Sequence, residues 1–573
     1  MKKAILLSMC ALVALGAADA FASYGPRPEK VIGPGLNTGR TAYHQTWNKT
    51  LSPDTVYVLT GLYYVDSTYS ITIPAGCVIK ADTAATLIVK RGARIQARGT
   101  QVAPIIFTSR KAPGTKARGD WGGVVLLGKA PVNKVEPLIE GGIIGGSYGG
   151  GAPAGSGNPN DNTGVFAYVR IEFCGYRYQL NNEVNGLTMG GVGNGTEIHH
   201  VQVSYSFDDA FEFFGGTVNT HHLVAFGTTD DEFDTDFGFA GKSQFMFGLL
   251  DPNVYDPTGE TNGFESDNDG SALSTATPYT SAVVSNFTFV GPGRTDATIP
   301  TIPLTATFDY SSVQRRSTKF SYLNSAIIGW PKAVSVRDDS TRAFACRGDL
   351  QIRCSSIAAF ALGNDTARWP VAAPGCGLGI NAWVSTPSFH NLGYVRNPDT
   401  MQLTNMSNLN DPNPVPVVGS ELDTATVCFT GSNKTNDPFF TVTDYRGAFV
   451  PGLPVSQQWT AIWTNFDPQN TDYNPTITGI GDETPRVAAH LGQNVPNPFN
   501  PSTTISYTVP ASGHVTLEVF NVKGGRVATL IDRESPAGTF EVTVNSKGWS
   551  SGVYFYRFSG DGFSETRKMV LLK

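Results

Sequence analysis

Asp208-Asp209, Glu212, Asp230-Asp231, Asp234, Asp236, Glu265 and Asp267 crowd one stretch of this chain, and two histidine pairs, His199-His200 and His221-His222, run in among them. Oxygen-rich clusters suit hard cations, and Ca²⁺ takes about six to eight such ligands. Paired carboxylates can also serve as general acid and base in glycan cleavage. Imidazoles at a regular spacing can hold a transition metal. Which chemistry is open to these residues depends on the elements that position them.

Their spacing identifies those elements. His200 maps to His222, Asp208-Asp209 to Asp230-Asp231, Phe211-Glu212 to Phe233-Asp234 and Gly216 to Gly238, always at an offset of 22 residues. A period this short is one supersecondary unit stacked on its neighbours, and so a solenoid. Strand alternation then assigns faces. Phe211 and Phe213 point inward, with Glu212 and Phe214 outward. One coil later Phe233, Thr235 and Phe237 point inward, with Asp234 and Asp236 outward. The following coil is Phe264-Glu265-Ser266-Asp267, delayed by a loop at about 251–261, and the preceding one is Leu187-Thr188-Met189-Gly190. Two outward rows result: Thr188, Glu212, Asp234, Glu265, and beside it Gly190, Phe214, Asp236, Asp267.

Successive coils lie about 4.8 Å apart. Two carboxylates at that distance repel by roughly 1 kcal/mol in water and by several in a lower-dielectric groove. Screening, bound cations or protonation must relieve the rows. The expectation is a Ca²⁺ or polysaccharide-binding surface centred on Glu212, Asp234, Asp236, Glu265 and Asp267. The plainer alternative is a solvated face whose Asp-Asp pairs shape turns. His200 and His222 are expected to stack outward, with His199 and His221 on the opposite parity or in a turn. Ladder stacking of like rings is the commoner outcome for such a pair than metal binding.

Composition agrees with many short strands joined by turns: 573 residues, 40% hydrophobic, 16% charged, with 63 Gly and 36 Pro. No capped amphipathic helix stands out. A net charge of −6 gives no reason to expect a nucleic-acid partner. Met1-Lys2-Lys3, an apolar run from Ala4 to Ala17 and small-x-small sites at Ala18-Asp19-Ala20 and Ala20-Phe21-Ala22 predict a cleaved secretory signal over residues 1–22. No later segment is long and apolar enough to span a bilayer. Export to an oxidising compartment permits disulfides, and Cys346, Cys354, Cys376 and Cys428 are the expected participants, in unspecified connectivity. Cys77 and Cys174 read as small buried residues.

The predicted organisation is a β-helix body over 23–469, a polar linker over 470–487 and a last domain over 488–573. Within the body, Gly141 to Gly157 reads as a loop leaving the stack, and residues 309–469 as terminal coils with a cap over the open end. In the last domain Val515/Leu517/Val519, Phe540/Val542/Val544 and Tyr554/Tyr556/Phe558 alternate with polar residues, as in a small two-sheet sandwich. The fold class is therefore all-β: a parallel β-solenoid followed by a small immunoglobulin-like β-sandwich; the resemblance given next implies a right-handed parallel β-helix for the first part.

Two resemblances bear on function. Asn494-Val495-Pro496-Asn497-Pro498-Phe499-Asn500-Pro501-Ser502-Thr503, Val519-Phe520-Asn521-Val522-Lys523-Gly524, Gly552-Val553-Tyr554 and the ending Lys568-Met569-Val570-Leu571-Leu572-Lys573 resemble the C-terminal sorting domains of type IX secretion substrates. The sandwich is also similar to the immunoglobulin-like domain of flagellar hook-capping proteins. The resemblance implies that residues 488–573 engage the type IX machinery, with export across a Gram-negative outer membrane and release or attachment outside it. Gly119-Asp120-Trp121-Gly122-Gly123, Tyr168-Val169-Arg170-Ile171-Glu172-Phe173, Phe211-Glu212-Phe213-Phe214-Gly215-Gly216 and Trp459-Thr460-Ala461-Ile462-Trp463-Thr464 resemble a group of large exported right-handed β-helix proteins. That group carries no activity to transfer.

Asp208-Asp209 and Asp230-Asp231 resemble the Asp-Asp pair of polygalacturonases, but the companion Gly-His and Arg-x-Lys elements are missing from the body. A lyase would need a basic side chain facing the acids, for which Lys242 is the nearest candidate. The reading is thus a secreted or surface β-helix protein that binds a glycan, matrix or other surface ligand, with no catalytic residue assigned. The alternative is a polysaccharide lyase or glycoside hydrolase working in an acidic groove.

Overall fold

The structure, a computed structural model, describes residues 26–474 and 490–572, apart from 180–181, 257–258, 271–273, 294–306, 361–375, 378, 396, 407, 425–427, 495, 510–512, 536–537 and 561–562. The leader expected over 1–22 and residues 475–487 of the expected linker lie outside this set. Among the described residues no helix is long and apolar enough to cross a membrane.

From Glu29 to Val395 the chain winds as a right-handed parallel β-helix whose coils each contribute to three faces. One early coil shows the plan: Ser70–Pro74, Val78–Ala81 and Thr86–Val89 pair in parallel with Arg94–Arg98, Ile105–Ser109 and Gly123–Leu127 of the next. Later the first two faces merge into one strand, as in Gly164–Glu172, Glu197–Ser204, Thr220–Phe226 and Lys242–Leu249. The third face is a ladder of ten strands among the described residues, from Ala42–Gln45 to Lys332–Val336.

The merged strands bend at one residue per coil. Tyr168, His200, His222 and Phe245 have φ of 51, 51, 59 and 58°. A non-glycine residue in the left-handed region costs roughly 1–2 kcal/mol, and here each one turns a corner of the prism. These residues drop out of the pairing register: His199 faces His221 and Val201 faces Leu223, with no partner assigned between them. The apolar residues on either side then alternate inward. Phe211, Phe233 and Phe264 stack along the axis, with centroids 5.0 and 5.5 Å apart, in a core continuous from Ile32 to Val384. Such a column adds offset ring contacts to ordinary apolar burial.

Residues beyond Val395 depart from the expected cap. Instead of closing the end, the chain runs back along the outer side of the second face. Phe449 and Trp463 are buried against Val224, Phe226, Phe247, Leu249, Val290 and Ile328. Gln202 donates to the Asn465 carbonyl at 2.7 Å and accepts from its N–H at 2.8 Å. Further on, Lys116 Nζ donates to the Pro468 carbonyl (2.9 Å) and the Arg27 N–H donates to Asn474 Oδ1 (2.8 Å). The outward apolar residues of the second face, which alternation alone would leave wet, are what this strap covers. A nine-residue helix, Asp339–Arg347, also interrupts the late coils. Cys346 is bonded to Cys376 and Cys354 to Cys428, all in this irregular region, while Cys77 and Cys174 are free and buried.

The C-terminal residues form two antiparallel sheets, one of His490–Leu491, Ser502–Val509 and Gly538–Asn545, the other of Arg526–Ser535, Gly513–Asn521, Gly552–Gly560 and Phe563–Leu571. Val515, Leu517, Val519, Val544, Tyr556 and Phe558 fill the core between them, so the period-2 pattern marks the buried faces.

Candidate functional site: a covered carboxylate face

The third face carries the acids. Thr188 pairs with Glu212, Glu212 with Asp234 and Asp234 with Glu265, so the first row stands in register. Phe214 pairs with Asp236 in the second row, and the Asp267 N–H reaches the Thr235 carbonyl at 2.9 Å. All five expected ligands therefore lie on one outward face.

That face is not solvated. Residues 130–157, which include the 141–157 stretch expected to leave the stack, fold back over it. Val132, Ile139, Ile143 and Tyr148 pack with Val125, Leu127 and Phe214, and Tyr148 meets the Phe214 ring at 6.0 Å. Asn133 Nδ2 donates to the Asn268 carbonyl at 2.6 Å. Glu212 and Asp267 are left 4% exposed and Asp236 9%. Phe237 is corrected by the same covering: a φ of 50° turns it to the outside against Phe214, and Phe239 takes the inward place, stacked on Phe213.

The acids divide into three kinds. Asp209 and Asp231 belong to a turn ladder with Asn185 and Asn262, in which each side-chain oxygen accepts the next coil's backbone N–H. Asn185 Oδ1 takes Asp209 N–H (3.1 Å), Asp209 Oδ1 takes Asp231 N–H (2.9 Å), Asp231 Oδ1 takes Asn262 N–H (2.8 Å), and Asn262 Oδ1 takes Tyr310 N–H (3.1 Å). Glu265 and Asp267 are paired with arginines: Arg315 bridges both, at 2.9 Å from Nε to Asp267 Oδ1, and Arg316 also reaches Asp267. Glu212, Asp234 and Asp236 have no cation bonded to them among the described residues. Glu212 accepts from Asn185 Nδ2, and Asp236 accepts the Phe237 N–H at 2.6 Å. Asp234 Oδ1 is buried with no hydrogen-bond partner.

Electrostatics follow from this division. Burial, reinforced by neighbouring carboxylates, raises Glu212, Asp234 and Asp236 well above the usual carboxylate range. Asp208 and Asp230, half-buried at the edge of the same face, are raised for the same reasons. Burial lifts Glu265 to about 7, with Arg315 opposing the rise. Asp209, Glu212 and Asp234 each place a carboxylate oxygen within 4.8 Å of the others, which is the arrangement an oxygen-seeking cation requires. Lys242, the base expected to face the acids, is instead on the first face, bonded to Asp437 at 2.6 Å. Arg315 and Arg316 were hidden from sequence reasoning by the long gap after Asp267. The pairing of Glu265 with Val313 shows the signal that was there, because it sets Arg315 beside Asp267.

The histidines also depart from the expected parity. The left-handed bend at His200 and His222 brings both rings of each pair to one side. His199 stacks on His221 at 4.8 Å and His200 on His222 at 4.3 Å, between Tyr168 and Phe245.

An open cleft of about 450 Å³ is lined by Asn37, Arg40, Asp82, Tyr176 and Tyr178 among others. Arg40 lies flat on the Tyr178 ring, 3.2 Å from its centroid, and the two tyrosine rings meet at 4.8 Å.

Comparison with known families agrees with this geometry. Residues 42–367 match the model of a pectate-lyase like beta helix domain, and residues 495–572 that of a secretion system C-terminal sorting domain. Comparison with curated proteins gives no match.

Proposed function

This chain belongs to the pectate-lyase-like β-helix family, and from that premise we propose that it works outside the cell as a binding protein for a glycan or matrix ligand. The sorting domain makes it a type IX substrate, secreted or presented at the cell surface. The observation that carries the binding reading is the open cleft at Tyr176, Tyr178, Arg40 and Asp82. The Tyr176 ring beside a guanidinium and a carboxylate suits a sugar ring with hydroxyl or acidic substituents. The acid rows, by contrast, lie beneath residues 130–157, and a polymer would have to displace that covering to be cleaved there.

The role proposed for the covered acids is to hold Ca²⁺ as a structural cation. Of Glu212, Asp234, Asp236, Glu265 and Asp267, the arginines take the last two, and Glu212 and Asp234 come together with Asp209 as the ligands. The unpartnered Asp234 Oδ1 supports this, since a buried oxygen without a donor is stabilised by a cation.

A polysaccharide array probed with the purified protein tests the binding reading, with product analysis on each hit. Retention without release of reducing or unsaturated ends, weakened by Tyr176→Ala, is expected. Release of new ends would replace it with the lyase or hydrolase reading.

A further inference from the structure

The corner between the first and second faces holds a feature that glycan binding does not use. In each histidine pair the two Nδ1 atoms face each other: 2.8 Å apart in His199/His200 and 2.7 Å in His221/His222. The rings within a pair stand nearly perpendicular, at 85 and 83°. Adjacent ligands at right angles around an ion with bonds of about 2.0–2.1 Å are separated by about 2.8–3.0 Å. A coil below, His221 places a ring nitrogen within 4.8 Å of a ring nitrogen of each of His199 and His200. The His199 and His221 rings are stacked 6° from parallel, so their in-plane lone pairs run side by side, and sharing one ion requires the rings to rotate toward each other.

We propose that His199, His200 and His221 form a site for a late divalent transition-metal ion of the Cu²⁺ or Ni²⁺ class. Nitrogen donors at right angles are the preference of these ions, and Cu²⁺ heads the affinity order. The surroundings are those of a ligand set. His199 Nε2–H donates to Glu197 Oε1 at 3.0 Å, which makes its Nδ1 the acceptor in the bond with His200 and the atom that would turn to an ion. Glu197 is in turn gripped by Arg98 through two bonds of 2.7 and 2.6 Å. The hydrogen bond now joining His199 and His200 uses one Nδ1 proton. When an ion replaces it, that proton moves to Nε2 of His200 and no net proton is released. Trp463 and Trp459 of the strap lie 5.6 Å from His200 and 5.0 Å from His222, so the ion ties two coils beside the returning chain.

The test is a Cu²⁺ titration of the full exported chain, read by electron paramagnetic resonance after dialysis and by tryptophan fluorescence. One bound Cu²⁺ per chain with nitrogen hyperfine splitting and partial quenching is expected, both lost in H199N/H221N. E197Q leaves the fold in place and weakens binding by about 10–100-fold, which decides the matter if the double variant does not fold. Copper removed by dialysis from the native chain, or a nitrogen-split signal unchanged in H199N/H221N or E197Q, would overturn the proposal and leave the pairs as hydrogen-bonded ring ladders.

Discussion

The carboxylate of Glu232 occupies the space that Gly248 leaves on the inner side of the facing sheet: a methyl group at Gly248 would overlap it. Gly248 aligns with Ala225 and Phe289, both in the solenoid core, and Glu232 is wholly buried with neither oxygen hydrogen-bonded. Gly248→Ala is therefore an overpacking change and should cost about 1–3 kcal/mol. Paired with Glu232→Ala it should cost less than the sum of the two single changes, as a double-mutant cycle in denaturant would show.

The raised carboxylates fix the sign of a pH effect. Burial makes the folded state hold protons on Glu212, Asp234, Asp236 and Glu232 that the unfolded chain releases near its ordinary pKa of about 4. Between that value and the raised one the folded state binds more protons, so stability is full below about pH 4 for these groups and declines as pH rises. Glu265 extends the decline to about 7. Below about pH 6.5 the four buried imidazoles, whose proton affinity burial lowers, act in the opposite sense, so thermal midpoints measured from pH 7 to 8 without divalent ions should fall, and a midpoint that rises across that range would contradict the assignment.

Calcium should oppose that decline. If Asp209, Glu212 and Asp234 hold Ca²⁺, millimolar calcium raises the midpoint at pH 7–8, by about 2.7 kcal/mol of stabilisation at one hundred times Kd. It has less effect at pH 4, where the carboxyls are protonated. Asp234→Asn should abolish the calcium shift, and a shift that survives it would move the ion elsewhere.

Asp231 acts through one acceptor oxygen, like Asn185 and Asn262 in the same ladder. Asp231→Asn should thus leave the fold intact and reduce its pH dependence, because the bond is kept and the buried charge is lost. Asp231→Ala leaves the Asn262 N–H without its acceptor and should cost about 1–3 kcal/mol in urea unfolding.

Arg315 holds Glu265 and Asp267 together. Arg315→Met leaves Glu265 without its cation and Asp267 with Arg316 alone on a covered face, and a loss of about 3–5 kcal/mol is expected. The loss should shrink toward acid pH, which separates it from a packing defect.

The legible part of this molecule was its repeat. The shared offset of Phe211-Glu212 and Phe233-Asp234 marked the coil, and alternation placed Glu212, Asp234 and Glu265 in one row because parallel strands keep register. Alternation fails wherever one residue enters the left-handed region, as at His200, His222 and Phe237, since a single bend reverses the parity of everything local. Nor does it report what lies over an outward residue. The outer apolar residues Val224, Phe226 and Phe247 hint at a cover, but nothing local names Trp463, more than two hundred positions away, as the side chain that supplies it. The open cleft is assembled from Asn37, Asp82 and Tyr176 of separate coils, and no period links them.

The returning strap changes what kind of object the solenoid is. A stack of coils touching only their neighbours can fray from either end, its stability a sum of local terms. Here Arg27 is bonded to Asn474, 447 positions along the chain, and Gln202 and Gln244 are tied to Asn465 and Thr441 on the way. The first coils acquire their last contacts only when the far end of the body arrives. The two ends of the body are thus joined, and fraying at either one breaks contacts made by the other.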